Sequence, residues 1–290
     1  MAEPVLKWVG GKRQLLADIT SRFPVSYNTY HEPFIGGGGV FFALEPRNAT
    51  INDLNSRLIT FYTIVRDHPR KLIEANRQHE HTEDYYYDAR DRFNELHQFT
   101  EKTIPEQIEE ASLLTFLNRT GYNGLYRENS DGEFNVPFGS HSNPDYVRRI
   151  AIMRASTLLS KSGITITNND FESVEEHAES GDLVYLDPPY KPTSETADFT
   201  DYQADGFDKD DQERLRDLAT RLDTMGVNVV ISNSPAATEL YHPLENFSTS
   251  KVTAKRSVGS NPDERDNVFE IIITNIPDEN QQQQRLEHFS

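Results

Sequence analysis

The sequence predicts an α/β protein built on a doubly wound, mostly parallel sheet, interrupted by a largely helical insertion. Three observations carry that prediction. Short β-prone runs, among them Ile164-Thr165-Ile166 and residues 183–186, alternate with longer helical patterns, the order expected of strands wound with helices on both faces. A run of four glycines, Gly36 to Gly39, is followed by the acid Asp53 at the end of a β-prone stretch. Asp187-Pro188-Pro189-Tyr190 closes the apolar run Leu183-Val184-Tyr185-Leu186. A buried parallel strand delivers its carboxyl end there, and ligands of open α/β sheets bind along that edge.

The elements follow in order. Lys7-Trp8-Val9-Gly10-Gly11-Lys12 precedes a helix-like stretch from Arg13. His31-Glu32-Pro33-Phe34-Ile35 leads into the glycine turn and the apolar segment 40–44, with a strand then ending at Asp53. From Leu58 to about Gln98 the pattern is helical, with Leu58, Phe61, Tyr62 and Val65 spaced three or four apart. Glu106 to Leu117 reads as another helix. After it comes a Gly- and Asn-rich stretch whose Asp131-Gly132 lies between β-prone flanks, the mark of a hairpin or extended loop. Tyr146 to Leu159 is helical, as is Asp210 to about Thr224. Strands are expected at 227–231 and 268–274. The tail from Asp278, with four successive glutamines, reads as disordered.

Composition narrows the functional classes. The chain has 290 residues and no cysteine, which leaves no disulfide framework, thiolate metal site or cysteine nucleophile. Its nine histidines form no cluster with ligand spacing, so no metal is expected. No apolar run approaches a membrane span, and the first residues lack the basic-then-apolar order of a signal peptide. The chain reads as soluble and intracellular. Its 47 acids against 29 bases give a net charge of −18, opposite to the basic excess usual for a nucleic-acid binder. Local basic residues, Arg119 and Arg127 with Lys251, Lys255 and Arg256, run against that sum.

The tetrapeptide suits a planar amine. The Asp187 carboxylate and the Pro188 carbonyl can accept both hydrogens of an exocyclic –NH2. Neither proline has an N–H, and each fixes φ, so the carbonyl is held in one direction. Tyr190 offers a face on which a base stacks. Glycines let the chain approach a ligand closely, and a glycine turn followed by an acid about 20 residues on is the arrangement that binds an adenosine ribose. The spacing departs from the strict dinucleotide fingerprint, which counts against NAD.

In this order the segments resemble the Dam-type DNA adenine N6-methyltransferases, from Leu6 to about Asn275. The stretch Asn118-Arg119-Thr120-Gly121-Tyr122-Asn123-Gly124-Leu125-Tyr126-Arg127, continuing from Gly132 to Gly139, is similar to that family's DNA-recognition hairpin. Phe199-Thr200 through Tyr202, Val230-Ile231-Ser232-Asn233 and Arg256-Ser257 also match family positions. The resemblance implies a Rossmann-like sheet that uses S-adenosyl-L-methionine, with an inserted, mostly helical target-recognition domain. The implied division is 1–57 and 146–277 for the catalytic domain, 58–145 for the insertion and 278–290 for the tail.

Residue roles follow from the same resemblance. Asp187, Pro188, Pro189 and Tyr190 would hold a flipped adenine, since an amine inside a duplex cannot reach such a pocket. Trp8, Lys12, Phe34, Gly36 and Asp53 would line the cofactor, with Asp187 beside it and Asp170-Phe171 bracketing its adenine. On local sequence alone, Asp170 is equally a helix N-cap before a core phenylalanine, and Trp8 a core anchor. Arg127 would make the bidentate guanine contact, Leu125 and Pro137 would meet a thymine methyl, Tyr122 would wedge into the stack, Asn123 would touch the backbone and Lys7 would read the outer guanine. The implied site is GATC in double-stranded DNA, read by a monomer in the cytoplasm at the nucleoid.

Two departures weaken the expected phosphate contacts: Ser140-His141-Ser142-Asn143 and Asn261-Pro262-Asp263-Glu264-Arg265-Asp266 stand where relatives are often basic. With the acidic excess they fit a salt-adapted host, the alternative being an ordinary mesophilic enzyme that happens to be acidic. Two other classes fit the motifs less well. A non-catalytic DNA-binding module would not need an intact Asp187-Pro188-Pro189-Tyr190. An amine methyltransferase acting on RNA or protein would have no use for the hairpin.

Overall fold

The computed structural model describes residues 2–8, 10, 12–190, 207–242, 244–255 and 267–282. Its elements run α1 (Leu16–Ser21), β1 (Tyr30–Glu32), α2 (Gly39–Leu44), β2 (Ala49–Asn52), α3 (Ser56–Asp67), α4 (Pro69–Asn76), α5 (Glu83–His97), α6 (Ile104–Thr120), α7 (Arg149–Leu159), β3 (Ile164–Thr167), β4 (Leu183–Leu186), α8 (Lys209–Thr224), β5 (Asn228–Asn233), α9 (Thr238–Tyr241), β6 (Ser248–Lys255) and β7 (Asn267–Thr274). They build one seven-stranded sheet in the order β3-β2-β1-β4-β5-β7-β6. Strands β1 to β5 are parallel, whereas β7 pairs antiparallel with both β5 and β6. This is the doubly wound α/β sheet predicted.

Both faces are covered, as parallel strands require. In β4, Leu183 and Tyr185 enter a core shared with α3 to α7, while Val184 and Leu186 enter a second core with Leu215, Leu218 and Leu222 of α8. Phe134 and Val136 of the glycine-rich stretch belong to the first core, so that stretch is anchored from beneath.

Several boundaries differ from expectation. The long helical pattern after Leu58 is three helices, interrupted at His68-Pro69 and again over residues 77–82. The helix expected from Tyr146 starts at Arg149, because Arg148 takes a left-handed backbone (φ 49°) and its N–H donates to Asp145 Oδ1 at 3.0 Å. The expected hairpin forms no regular strands. Bridges at Gly121↔Phe138 and Glu128↔Phe134 close it instead, with Gly132 N–H donating to Asn129 O across the turn.

The tail is ordered further than expected. Asp278–Asn280 form a 3-10 turn, Gln281 bridges to Pro24 and is buried, and Gln282 N–H donates to Phe23 O. The family positions at 199–202 and 256–257, the acidic run 261–266 and the tail from Gln283 lie outside the described residues.

Candidate active site

The strand order reverses between β1 and β4, which are neighbours in the sheet but far apart in sequence. Such a reversal leaves a crevice at the carboxyl ends of the strands. Asn52, buried at the end of β2, ties three of these ends together. Its Nδ2 donates to Pro33 O (3.1 Å) and Asn169 O (2.8 Å), and its Oδ1 accepts from Asn169 N–H (2.9 Å) and Thr167 Oγ1 (2.9 Å). Glu32, at the end of β1, is buried and accepts from Tyr30 Oη at 2.7 Å. Burial first, with Asp187 and Asp53 adding to it, holds its carboxyl well above the usual range.

Asp187 follows β4 directly. Lys12 Nζ stands 2.9 Å from Asp187 Oδ1, donates to Gly10 O at 2.8 Å and lies 4.4 Å from the centre of the Tyr190 ring. Apart from that ion pair, Asp187 Oδ1 is buried with no hydrogen-bond partner among the described residues. Burial pushes its carboxyl up to about 6, against the opposing pull of Lys12. From β7, Glu270 comes within 3.8 Å of Lys12 Nζ and accepts the Tyr190 hydroxyl.

The tetrapeptide is braced from behind. Gln212 of α8 is buried and donates Nε2 to Pro189 O at 3.0 Å, and its Oε1 accepts from the buried Asn233 Nδ2 at 3.1 Å. The Tyr185 and Ser232 hydroxyls are 2.9 Å apart beneath it.

The residues expected to bind the cofactor gather around the glycine turn and the ends of β1 and β2. Asp53 Oδ2 accepts from Gly36 N–H (2.9 Å) and its Oδ1 from Asn55 N–H (3.0 Å), so the acid and the glycine turn are held together. Gly36 has φ +44°, and a Cβ there would come within 2.9 Å of Trp8 Cδ1. Glycine is needed at that position by backbone and by space. Trp8 therefore packs on the turn, and it also stacks on Tyr126 of the glycine-rich stretch with ring centres 4.8 Å apart. Phe34 stacks on Phe171 at 5.3 Å, with Phe207 edge-on. Asp170 caps the 3-10 turn Phe171–Glu176 and accepts from Arg214 Nη2 at 2.8 Å, while Phe171 is buried. The N-cap reading of this pair is thus realised in the fold.

The expected DNA-reading residues cluster past the end of α6. Tyr122, Asn123 and Pro137 are exposed, and Tyr122 N–H donates to Pro137 O at 2.9 Å. Leu125 is half-buried against the core. Arg127 donates Nε to Asn135 Oδ1 at 2.7 Å, which fixes its guanidinium. Lys7 is exposed, and its pKa is lowered by partial burial and then by Arg119 and Arg148, which together make a local positive patch. Buried Asn118 couples this region to the N-terminal segment: it accepts from Lys7 N–H and donates to Lys7 O, both at 2.8 Å, and to Gly124 O at 3.1 Å. Lys7, Trp8 and Lys12 thereby touch the glycine-rich stretch, the glycine turn and Asp187.

Sequence reasoning did not single out Asn52, Gln212, Asn118 or Glu270. Among the described residues, no group of three or more His, Cys, Asp or Glu could hold a metal, and no helix is long and apolar enough to cross a membrane.

The chain is similar to known proteins over nearly its whole length. Residues 8–258 match the sequence model of the D12 class N6 adenine-specific DNA methyltransferases. The chain is 44% identical over 278 residues to the Type II methyltransferase M1.LlaDCHI of Lactococcus lactis subsp. cremoris, covering 94% of this chain and 95% of that one. It is 36% identical to the Type II methyltransferase M.MjaIII of Methanocaldococcus jannaschii (94% and 99% covered). It is 34% identical to a DNA adenine methylase of Salmonella typhi (94% and 95% covered).

Proposed function

The chain belongs to the D12 class N6 adenine-specific DNA methyltransferase family, and from that premise we propose that it methylates adenine N6 at GATC in double-stranded DNA, with the target base flipped out of the helix. Its methyl donor, S-adenosylmethionine, supplies an electrophilic methyl group on a sulfonium. The residues at the crevice fit such a ligand. Asp53 offers a carboxylate to ribose hydroxyls, Phe34 an aromatic face, and Asp187 a negative charge near a cationic sulfur.

The single observation that carries the reading is the buried Asp187 Oδ1, which meets the Lys12 ammonium at 2.9 Å, has no other polar partner among the described residues and is set beside the Tyr190 ring at the reversal of the sheet. An exocyclic amine is a poor nucleophile because its lone pair is delocalised into the ring. Hydrogen bonds from its two hydrogens to Asp187 and Pro188 O favour a pyramidal nitrogen and aim the lone pair. Tyr190 stacks the base. The rest is positioning and electrostatics.

Residues 58–145 act as the target-recognition part, with Tyr122, Asn123, Leu125, Arg127 and Pro137 meeting the duplex and Lys7 reading the outer guanine. The enzyme acts as a monomer at the nucleoid. Transfer of labelled methyl groups to duplex DNA with and without GATC, to RNA and to total protein tests the reading. Label in RNA or protein alone would overturn it, and modified adenines mapped by sequencing to an unrelated site would remove the GATC assignment.

Two substitutions follow. Arg127→Ala loses the bidentate guanine contact and is expected to relax discrimination at one guanine·cytosine pair by roughly 1–3 kcal/mol, read as the ratio of kcat/KM on GATC and singly altered duplexes. Asp53→Ala is expected to weaken cofactor binding by about 1.5–3 kcal/mol, the range for hydrogen bonds to a charged group. The same carboxylate holds Gly36 N–H, so the turn loosens with it. Unchanged cofactor affinity in a titration would remove Asp53 from the ribose.

A further inference from the structure

Tyr190 presents a mechanical problem. It follows two prolines, and its ring has to stand in one plane if an incoming adenine is to stack on it. Prolines 188 and 189 have no N–H with which to pin the backbone. The described contacts supply one backbone anchor, Gln212 Nε2 to Pro189 O at 3.0 Å. The ring itself is held from above by the Lys12 ammonium, 4.4 Å from its centre, and at its far end by Glu270, which accepts the phenolic hydrogen.

Glu270 is a costly residue at that place. It is a half-buried acid that shares Lys12 with Asp187 and raises the Asp187 pKa further, in a site proposed to admit a polyanion. It sits on β7, the strand that enters antiparallel beside β5, in register with Val252 of β6. The two antiparallel strands thus deliver one carboxylate to the catalytic edge.

We infer that Glu270 is a positioning residue for methyl transfer: its carboxylate holds the Tyr190 hydroxyl and thereby fixes the ring face on which the target adenine lies. This rests on the proposed role of Tyr190 in stacking the flipped base. A carboxylate accepts a phenolic hydrogen more strongly than water does; the hydrogen bond fixes the far end of the ring, and because a phenolic O–H prefers the ring plane it also biases the rotation of the ring about its own axis, which the Lys12 ammonium over the face restrains as well. Glu270 touches neither the base nor the cofactor in this role, so its effect passes entirely through Tyr190.

A double-mutant cycle tests it, using the full chain, a GATC duplex and S-adenosylmethionine. Glu270→Ala is expected to lower kcat about tenfold while cofactor KM stays within about twofold. Glu270→Gln, which keeps an oxygen acceptor and nearly the same shape, should retain kcat within about threefold of the parent. Tyr190→Phe keeps the ring and removes the hydroxyl; in that background Glu270→Ala should cost less than about twofold more, the signature of two groups acting as one unit. Independent, multiplying losses would overturn the inference, as would a kcat for Glu270→Ala within twofold of the parent. If the parent enzyme methylates no DNA, the proposed function fails first, and that outcome is read in the same assay before any variant is compared. If the alanine variant does not fold, Glu270→Met, close to glutamate in length but without a carboxylate to accept the phenolic hydrogen, takes its place in the cycle with the same expected losses.

Discussion

Asp187→Ala is expected to abolish methyl transfer, by on the order of a thousandfold or more in kcat, because it removes both the acceptor and the charge aimed at the reacting amine. Cofactor and duplex should still bind measurably, since Asp187 is assigned to the amine and anchors neither ligand by itself. Burial lifts the Asp187 pKa from the ordinary 3.8 to about 6. Below that pH the carboxyl is protonated and accepts poorly, so kcat/KM, which reports the free enzyme, should fall as pH drops through about 6. The stability effect has the opposite sign. A carboxyl with a raised folded pKa contributes stability that is fully present below 3.8 and is lost as pH rises through about 6. At pH 7 to 8 the ionised group is therefore a burden, and Asp187→Asn should melt no lower than the parent while losing activity. Turnover of Asp187→Ala near the parental rate would remove the carboxylate from the mechanism. A collapse in melting temperature would show that the Lys12–Asp187 pair is a structural support.

The contrast between legible and hidden parts has physical causes. Strands β4 and β5, and β7 from Ile271 to Thr274, announce themselves as β-branched or apolar runs because both of their faces are buried, while the edge strand β3 is legible from its alternating Ile and Thr although Thr165 is exposed. Strand β1 is only Tyr-His-Glu, and its polar members are buried because each has a partner: His31 Nε2 lies 3.0 Å from Asp182 Oδ2, and Glu32 holds Tyr30. Nothing in a three-residue window reveals partners 150 positions away. Strand β6, Ser-Thr-Ser-Lys-Val-Thr-Ala-Lys, is a sheet edge with polar residues, and composition there reads as loop.

The site divides in the same way. Motif letters identify Asp187, Asp53 and the glycine turn, since their chemistry is local. Gln212, Asn118 and Glu270 matter through contacts made across the fold, at separations of 23, 111 and 80 residues. Glutamine in a helix and glutamate in a strand carry no mark of that. The tail misleads for a related reason. Its glutamines look like low-complexity solvent-facing residues, yet Gln281 is buried, with Nε2 donating to Ile276 O at 2.8 Å.

Salt is expected to stabilise this enzyme and to leave it active where relatives with basic surfaces would lose their DNA. Acids exceed bases by 18, and 20 of the 29 bases are arginine. Several of those arginines are already committed to carboxylates: Arg214 to Asp170, Glu172 and Asp211, and Arg221 to Glu172 and Glu175. The remaining acids repel one another at low ionic strength. At 1 M salt the screening length shrinks to about 3 Å, which relieves that repulsion, and each kcal/mol regained raises the melting temperature by roughly 2 °C in a chain of this size. Binding behaves in parallel. A protein that neutralises six to ten phosphates loses about 10³–10⁵ in affinity between 50 and 200 mM salt. Here Lys7 has Arg119 and Arg148 near it, Arg148 is itself paired with Glu3 and Asp145, and Ser140 to Asn143 include no lysine or arginine. Under the proposed base flipping, recognition would then rest on base contacts and on the extruded adenine, which counterion release does not weaken. Melting temperature and methylation of a GATC duplex, both measured from low to molar potassium chloride, decide the matter. The melting temperature should climb throughout and methylation should persist at molar salt, as expected of an enzyme from a salt-adapted host. An activity that peaks near physiological salt and collapses above it would show instead that the acidic surface is incidental, and that phosphate contacts carry the binding after all.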